Sequence, residues 1–324
     1  MRPPRRRFLG LMALMAAQAG LRAARAEVYP SRPVRLIVGF AAGGAADIVA
    51  RLTAQWLSQR LGQSFFVENR PGAGSNTAAE AVVRAPPDGY TLLHVTVSNA
   101  INQTLYDKLG FDIRRDIAPV ASIYGSPGVL VVNPAVPADT VAELIAYAKA
   151  RPAEINMASA GNGSPQHLYG ELFKAMTGVA LVHVPYRAYP SALADLIGGR
   201  VQVMFDALAS SLPHIRAGRL RALALTATAR SPALPEIPTV GESVPGYAAS
   251  GWQGLGAPLG TPVEIIDTLN REIAAALADP GMRARIADLG GTPLPGSAPD
   301  FARLIADDTA KWGEVISRAG LKVE

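Results

Sequence analysis

From Val34 onward, short runs of Val, Ile and Leu alternate with segments of helical period. Apolar runs of this length mark strands covered on both faces, and the intervening helices supply the cover. VRLIVGF reads as a buried strand, and the segment from Asp47 places Val49, Leu52 and Trp56 on one helix face at i, i+3 and i+7. SFFVENR is the next strand, GSNTAAEAVVRA the next helix and TLLHVTV the third strand, a βαβαβ opening onto a parallel sheet. The polar stretch NQTLYDKLGFDIRRD then breaks the rhythm before APVASIYG and GVLVVNP, and reads as the passage into a second unit.

That unit resumes the alternation. A helix from Thr140 carries Val141, Leu144, Ile145 and Ala148 at helical spacing. INMASA, a helix after Pro165, LVHVPY, a helix over Ala192 to Ile197, VQVMFDAL, a helix near Pro213 to Ala217 and RALALTA follow. SPALPEIPTVGESVPGY is too proline-rich for a regular helix or central strand, because proline lacks the N–H donor and fixes φ, and it reads as the way back. GWQGLGAP is one more strand, followed by amphipathic helices over Pro262 to Leu277 and Pro299 to Arg318. The expected division is 27–124 with 223–324 as one α/β domain and 125–222 as the other, with a ligand cleft at the carboxyl ends of the strands.

The first 26 residues are of another kind. Arg5, Arg6 and Arg7 precede Phe8, Leu9 and an Ala/Leu/Met run, and Ala24-Arg25-Ala26 closes the segment: a charged region, an apolar region and a small-x-small cut, the parts of an export signal. The run Leu9 to Leu21 makes about 20 Å of helix against a hydrocarbon core of about 30 Å, too short for an anchor. RRRFLG is similar to the twin-arginine consensus, with general secretion as the alternative route. The chain's formal +5 comes from this leader: six of the 31 Lys+Arg lie in it with no acid, leaving 25 against 26 Asp+Glu, a formal −1. The basicity therefore does not argue for nucleic acid as a partner. The absence of cysteine fits an exported protein folding without disulfides and a cytosolic one equally.

Chemistry-bearing residues fall in loops after strands. AAGGAAD holds Gly43 and Gly44 ahead of a helix, and SAGNGSP holds Gly161 and Gly163 ahead of another near Ser164. Glycine lets backbone approach a ligand, and helix N-termini present unpaired N–H groups, so two such loops facing one cleft make an anion clamp. Glycine and capping residues also serve ordinary βα turns. Dinucleotide, phosphate-loop and nucleophile-elbow signatures fail: GNGSPQ lacks the third glycine and Pro165 follows Ser164. His94, His167, His183 and His214 are scattered, and His167 with Glu171 at i, i+4 reads as a surface or capping pair before a metal site. Ser98, Asn99, Tyr186 and Asp206 sit at strand ends where a cleft would lie, Asp206 equally as a helix cap, while Trp252 reads as packing.

Together, YPSRPVRLIVGF, ENRPGAGSN, APPDGYTLL, ASAGNGSPQHL and VPYRAYPSALADLIGGRVQVMFD resemble the Bug family of extracytoplasmic solute receptors, the binding subunits of tripartite tricarboxylate transporters, over essentially all of the chain after the leader. The resemblance implies an α/β, type II periplasmic-binding-protein fold with two domains of mostly parallel sheet closing on a small carboxylated ligand. Carried onto this chain, Phe40, Ala41 and Gly44 on one side and Ser159, Gly161, Gly163 and Ser164 on the other would hold one carboxylate, with Asn99, Tyr186 and Asp206 choosing the rest of the ligand. The first loop reads GFAAGG where the family usually has PFPPGG, Ala188 stands where Gly is common, and Ser75 stands where Gly is common. The first two departures bear on the cleft, whereas Ser75 reads as a loop substitution.

The expected activity is capture of a small organic acid in the periplasm and its delivery to a two-subunit membrane permease, without catalysis, cofactor or metal, by a monomer. Candidate ligands are di- and tricarboxylates, acidic amino acids, aromatic acids and neutral amides. A ligand sensor for a signalling partner uses the same cleft, and an exported hydrolase would use Ser164 with His167.

Overall fold

The structure is a computed structural model that describes residues 29–186 and 189–321. The expected export signal and Ala188 lie outside the described residues. Strands β1 (Val34–Val38), β2 (Phe65–Asn69), β3 (Thr91–Thr96), β4 (Ile117–Val132), β5 (Ile155–Ser159), β6 (Leu181–Pro185), β7 (Val203–Ala207), β8 (Arg221–Leu225), β9 (Ser250–Pro258) and β10 (Thr292–Pro293) alternate with helices. The main path runs β2-β1-β3-β9-β4-β7-β5-β6, with β8 and β10 also paired to β4.

Two segments read as separate strands, APVASIYG and GVLVVNP, are one strand of 16 residues. Over Ile117–Pro127, β4 pairs antiparallel with β9; from Gly128 to Val132 it pairs with β7 and β8. The change of partner falls at Pro127, which has no N–H to give a ladder. Gly128 beside it lies so close to Thr226 that a Cβ there would stand 2.3 Å from its Oγ1. The expected division at 124/125 falls inside β4, and that at 222/223 inside β8.

Parallel pairing is confined to β2-β1-β3 and to β6-β5-β7, whereas β4 and β9 run antiparallel to their neighbours. The sheets are therefore mixed, not mostly parallel: consecutive βα units build parallel neighbours, but strands returning from the other sheet enter reversed. Helices still cover both faces. Val34, Leu36 and Val38 of β1 pack with Val49 and Leu57 of the helix Ala45–Leu61, while Ile37 joins Leu93, Val95 and Trp312 on the opposite side. In the second sheet Val129 and Val131 face Leu196 and Leu208, while Leu130 and Val132 share with Phe205 of β7 the opposite face, where Phe173 packs. That alternation along β4 is the period-2 signature of a strand covered twice.

The C-terminal helix Ala298–Ala319, capped by Ser297 and Asp300 with Pro299 in its first turn, buries Phe301, Ile305, Trp312 and Ile316. It packs on the helices Val97–Leu105 and Pro165–Thr177 and on β4, so its buried face spans both sheets. Among the described residues no helix is long and apolar enough to cross a membrane.

Candidate functional site

A cavity of about 550 Å³ opens where β4 changes sheets. Ser126 and Gly128 flank the change of partner and both line it, a position that open α/β sheets favour for ligands. Four helices begin at its wall: Ala45–Leu61 after Gly44, Val97–Leu105 after Thr96, Pro165–Thr177 after Ser164 and Leu208–Arg216 after Ala207. The first turn of a helix leaves N–H groups without intrahelical partners and carries roughly half a positive charge. Among the described residues no Asp, Glu, Lys, Arg or His lines the cavity; its polar side chains are Thr96, Ser98, Asn102, Ser126, Asn162, Ser164, Gln166 and Gln253 with the hydroxyls of Tyr106 and Tyr169. Thr96 Oγ1 is buried there without a hydrogen-bond partner among the described residues. Aligned backbone dipoles and neutral donors are features that suit an anion.

The loop after β1 is fixed by Asp47. Its carboxylate accepts from Gly43 N (2.9 Å), Arg51 Nε (2.9 Å) and Asn69 Nδ2 (2.9 Å), and Asn69 Nδ2 also donates to the Phe40 carbonyl (3.0 Å). The Arg51 hydrogen bond is the main reason the Asp47 carboxyl is held down at about 2. Asp47 lies in the first turn instead of opening the helix, which begins at Ala45.

The loop after β5 is fixed from behind by two histidines. His183 Nε2 lies 2.6 Å from Ser159 Oγ, which also bonds to Gly161, and His167 Nδ1 accepts from Gly163 N at 3.1 Å. The rings stack at 3.6 Å, and burial followed by the neighbouring His167 pushes His183 down to about 4. Ser164 Oγ donates to the Gly161 carbonyl at 2.8 Å and accepts from the His167 backbone N–H at 3.4 Å, not from its imidazole. Ser164 and His167 therefore lack the nucleophile–base contact that the hydrolase reading requires. His167 Nε2 faces Glu171 at 3.5 Å and Lys174 bonds to Glu171 at 2.8 Å, so the i, i+4 pair is part of a helix-borne polar cluster. Among the described residues no group of His, Cys, Asp or Glu could hold a metal.

Of the residues carried over from the resemblance, Phe40, Gly44, Gly163 and Ser164 line the cavity, whereas Ala41, Ser159, Gly161, Asn99, Tyr186 and Asp206 do not. Asn99 is fully buried because the helix begins at Val97, earlier than the strand reading allows. It becomes the third residue of that helix, its Oδ1 accepting from Thr96 N at 2.9 Å and its Nδ2 donating to Ser75 Oγ at 3.3 Å. Tyr186 donates to Asp195 at 2.8 Å. Asp206 is buried under Tyr189 and Ser211, each donating to it at 2.6 Å, and burial raises its carboxyl above the usual range. Trp252, expected to pack, both packs against Phe301 and lines the cavity. Ser75 is more than a loop substitution: it has φ +83 and is fully buried beneath Gly39. Left-handed backbone is where glycine costs least, so a serine here carries a conformational cost.

Comparison with known proteins agrees with this architecture. The family described as tripartite tricarboxylate transporter family receptor (TctC) matches residues 49–321. The protein BugT of Bordetella pertussis is 37% identical over 322 residues, 98% of this chain and 99% of its own. Among solved structures, R. palustris Rpa4515 with adipate is 40% identical at a TM-score of 0.81, covering 91% of this chain and 100% of that one. MatC of Rhodopseudomonas palustris with bound malate is 32% identical at a TM-score of 0.76, covering 89% and 100%. With the fold of periplasmic binding proteins, this chain belongs to the tripartite tricarboxylate transporter receptor family, a family of extracytoplasmic solute-binding proteins.

Proposed function

We propose that the protein captures a small dicarboxylate in the cavity at the sheet crossing and hands it to a membrane permease outside the cytoplasm, reaching that compartment by cleavage of the Arg-rich leader near Ala26. The observation that carries this reading is that four helices begin at the wall of a cavity that no charged side chain of the described residues lines. An anion there meets positive dipole ends and neutral donors. Phe40, Gly44, Gly163 and Ser164 are the proposed contacts from the sequence, joined by Thr96, Ser98 and Asn102. Two similar proteins hold adipate and malate, which makes linear diacids the first ligands to try.

Micromolar capture requires about 8 kcal/mol. Four dipoles at about 0.5 to 1 kcal/mol each, with two or three charge-assisted hydrogen bonds at about 1.5 to 3 kcal/mol each, reach that range before shape is counted. The test is a thermal-shift screen of the chain from Glu27 against mono-, di- and tricarboxylates. A diacid at a hundredfold excess over its Kd adds about 2.7 kcal/mol and raises Tm. If no carboxylate raises Tm, the reading is wrong.

A further inference from the structure

Gln253 of β9 lines the cavity, and directly behind it stands His94 of β3, whose Nε2 lies 2.8 Å from Gln253 Oε1. Two strands hold this pair: Gln253 is in register with Thr96, two residues along β3 from His94. His94 is fully buried, and its Nδ1 has no hydrogen-bond partner among the described residues. Burial pushes the imidazole down to about 4, so it is neutral and carries a single N–H.

That proton has two possible homes. On Nδ1 it would be a buried donor with nothing to accept it, while Nε2 would have to take a hydrogen bond from the Gln253 amide. On Nε2 it is used at once, and Nδ1 keeps only a lone pair, which costs less to leave unmet. His94 is then the donor and Gln253 Oε1 the acceptor. The Gln253 amide is thereby locked with its oxygen inward. Its Nε2, which makes no hydrogen bond among the described residues, is left as the free polar end at the cavity wall.

We propose that Gln253 is a specificity-determining residue of the ligand site and His94 its positioning residue: together they present a fixed, neutral N–H donor to a carboxylate oxygen of the ligand. The proposal rests on the carboxylate-receptor reading and adds what chooses among ligands. Where no charged side chain of the described residues lines the cavity, donor and acceptor polarity separates a carboxylate from its amide, and a donor that cannot rotate rejects an amide NH2 placed against it.

The test is calorimetric titration of the diacids adipate and malate, and of their monoamides, into wild type and four variants whose folding is checked by thermal melts. Gln253→Leu is expected to lose about 10- to 100-fold in diacid affinity, the equivalent of one hydrogen bond to a charged group. Gln253→Glu is expected to invert the diacid-to-monoamide preference, since it presents an acceptor. His94→Leu frees the amide to flip and brings that preference toward unity, and His94→Gln, which restores an N–H behind Gln253, recovers it. Nitrogen-15 spectra of the labelled imidazole should show the proton of His94 on Nε2.

Diacid binding by wild type with an unchanged preference in both Gln253 variants overturns this proposal and leaves the receptor reading standing. A proton on Nδ1 of His94 overturns the positioning role. Absence of any diacid binding by wild type overturns the receptor reading, and this proposal with it.

Discussion

Asp47 contributes no atom to the cavity, yet it ties the Gly43 N–H, Arg51 and Asn69 into the wall that Phe40 and Gly44 form. Its carboxyl stands at about 2 against an ordinary 3.8, so ionised Asp47 stabilises the fold by about 2 kcal/mol. A lowered carboxylate contributes above its unfolded value and ceases to contribute as the pH falls through its folded one. The urea-unfolding stabilities of wild type and Asp47→Asn should therefore differ by about 2 kcal/mol at pH 6 and converge between pH 4 and 2; a gap independent of pH would refute this account. Gly163 has φ +72, and a Cβ there would meet Leu105 Cδ2 at 2.2 Å. Gly163→Val should keep its far-UV circular dichroism and lose at least tenfold in ligand affinity, and wild-type binding by that variant would remove the loop from the site. Gly44, Gly163 and Ser164 could be read from the sequence because they stand immediately before the helices that follow these βα loops, whereas Ala41 and Gly161 earlier in the same loops do not reach the cavity. Asn99, Tyr186 and Asp206 could not: which way a polar side chain at a strand end turns depends on partners far along the chain, such as Ser75, 24 residues before Asn99.

Two of the four helices that begin at the cavity, Val97–Leu105 and Pro165–Thr177, rest on the same support, the C-terminal helix Ala298–Ala319. Trp312 is its largest fully buried side chain and stacks on Tyr169, a cavity residue, at 5.4 Å between ring centroids. Trp252, another cavity residue, donates from Nε1 to Asp308 of this helix at 2.6 Å. Trp312→Ala should cost about 3 to 5 kcal/mol, a fall in Tm of roughly 10 °C, and ligand should restore less Tm than in wild type because both supported helix N-termini lose their backing. Equal ligand-induced shifts in the two proteins would show that the support is structural only. The helix itself was legible from its spacing and from Pro299 at its start, while the cap by Ser297 and Asp300 came with the structure. Its reach across both sheets was not, since periodicity reports that a face is buried and not what buries it. The same limit hid the continuity of β4, where Ser126-Pro127-Gly128 carries the composition of a turn but occupies a change of strand partner.

At the scale of the whole molecule the charges cancel. Once residues 1–26 are set aside, 25 Lys+Arg face 26 Asp+Glu, and many are committed to local pairs such as Arg51 with Asp47, Arg200 with Asp195 and Arg230 with Glu242. A chain of formal −1 sets up no long-range field that would gather a dianion. On the proposed reading attraction begins within the cavity, where the dipole ends of helices act over the length of a turn and no cationic side chain of the described residues is present. The association rate of a diacid should therefore change by less than about twofold between 10 and 200 mM salt, a range over which the Debye length falls from about 30 Å to below 10 Å. Stopped-flow fluorescence of Trp252, at the cavity wall, can follow the rate. A receptor that steered its ligand with cationic side chains would slow by tenfold or more over the same range. A decline of that size here would place the decisive charge outside the cavity and contradict capture by dipoles alone.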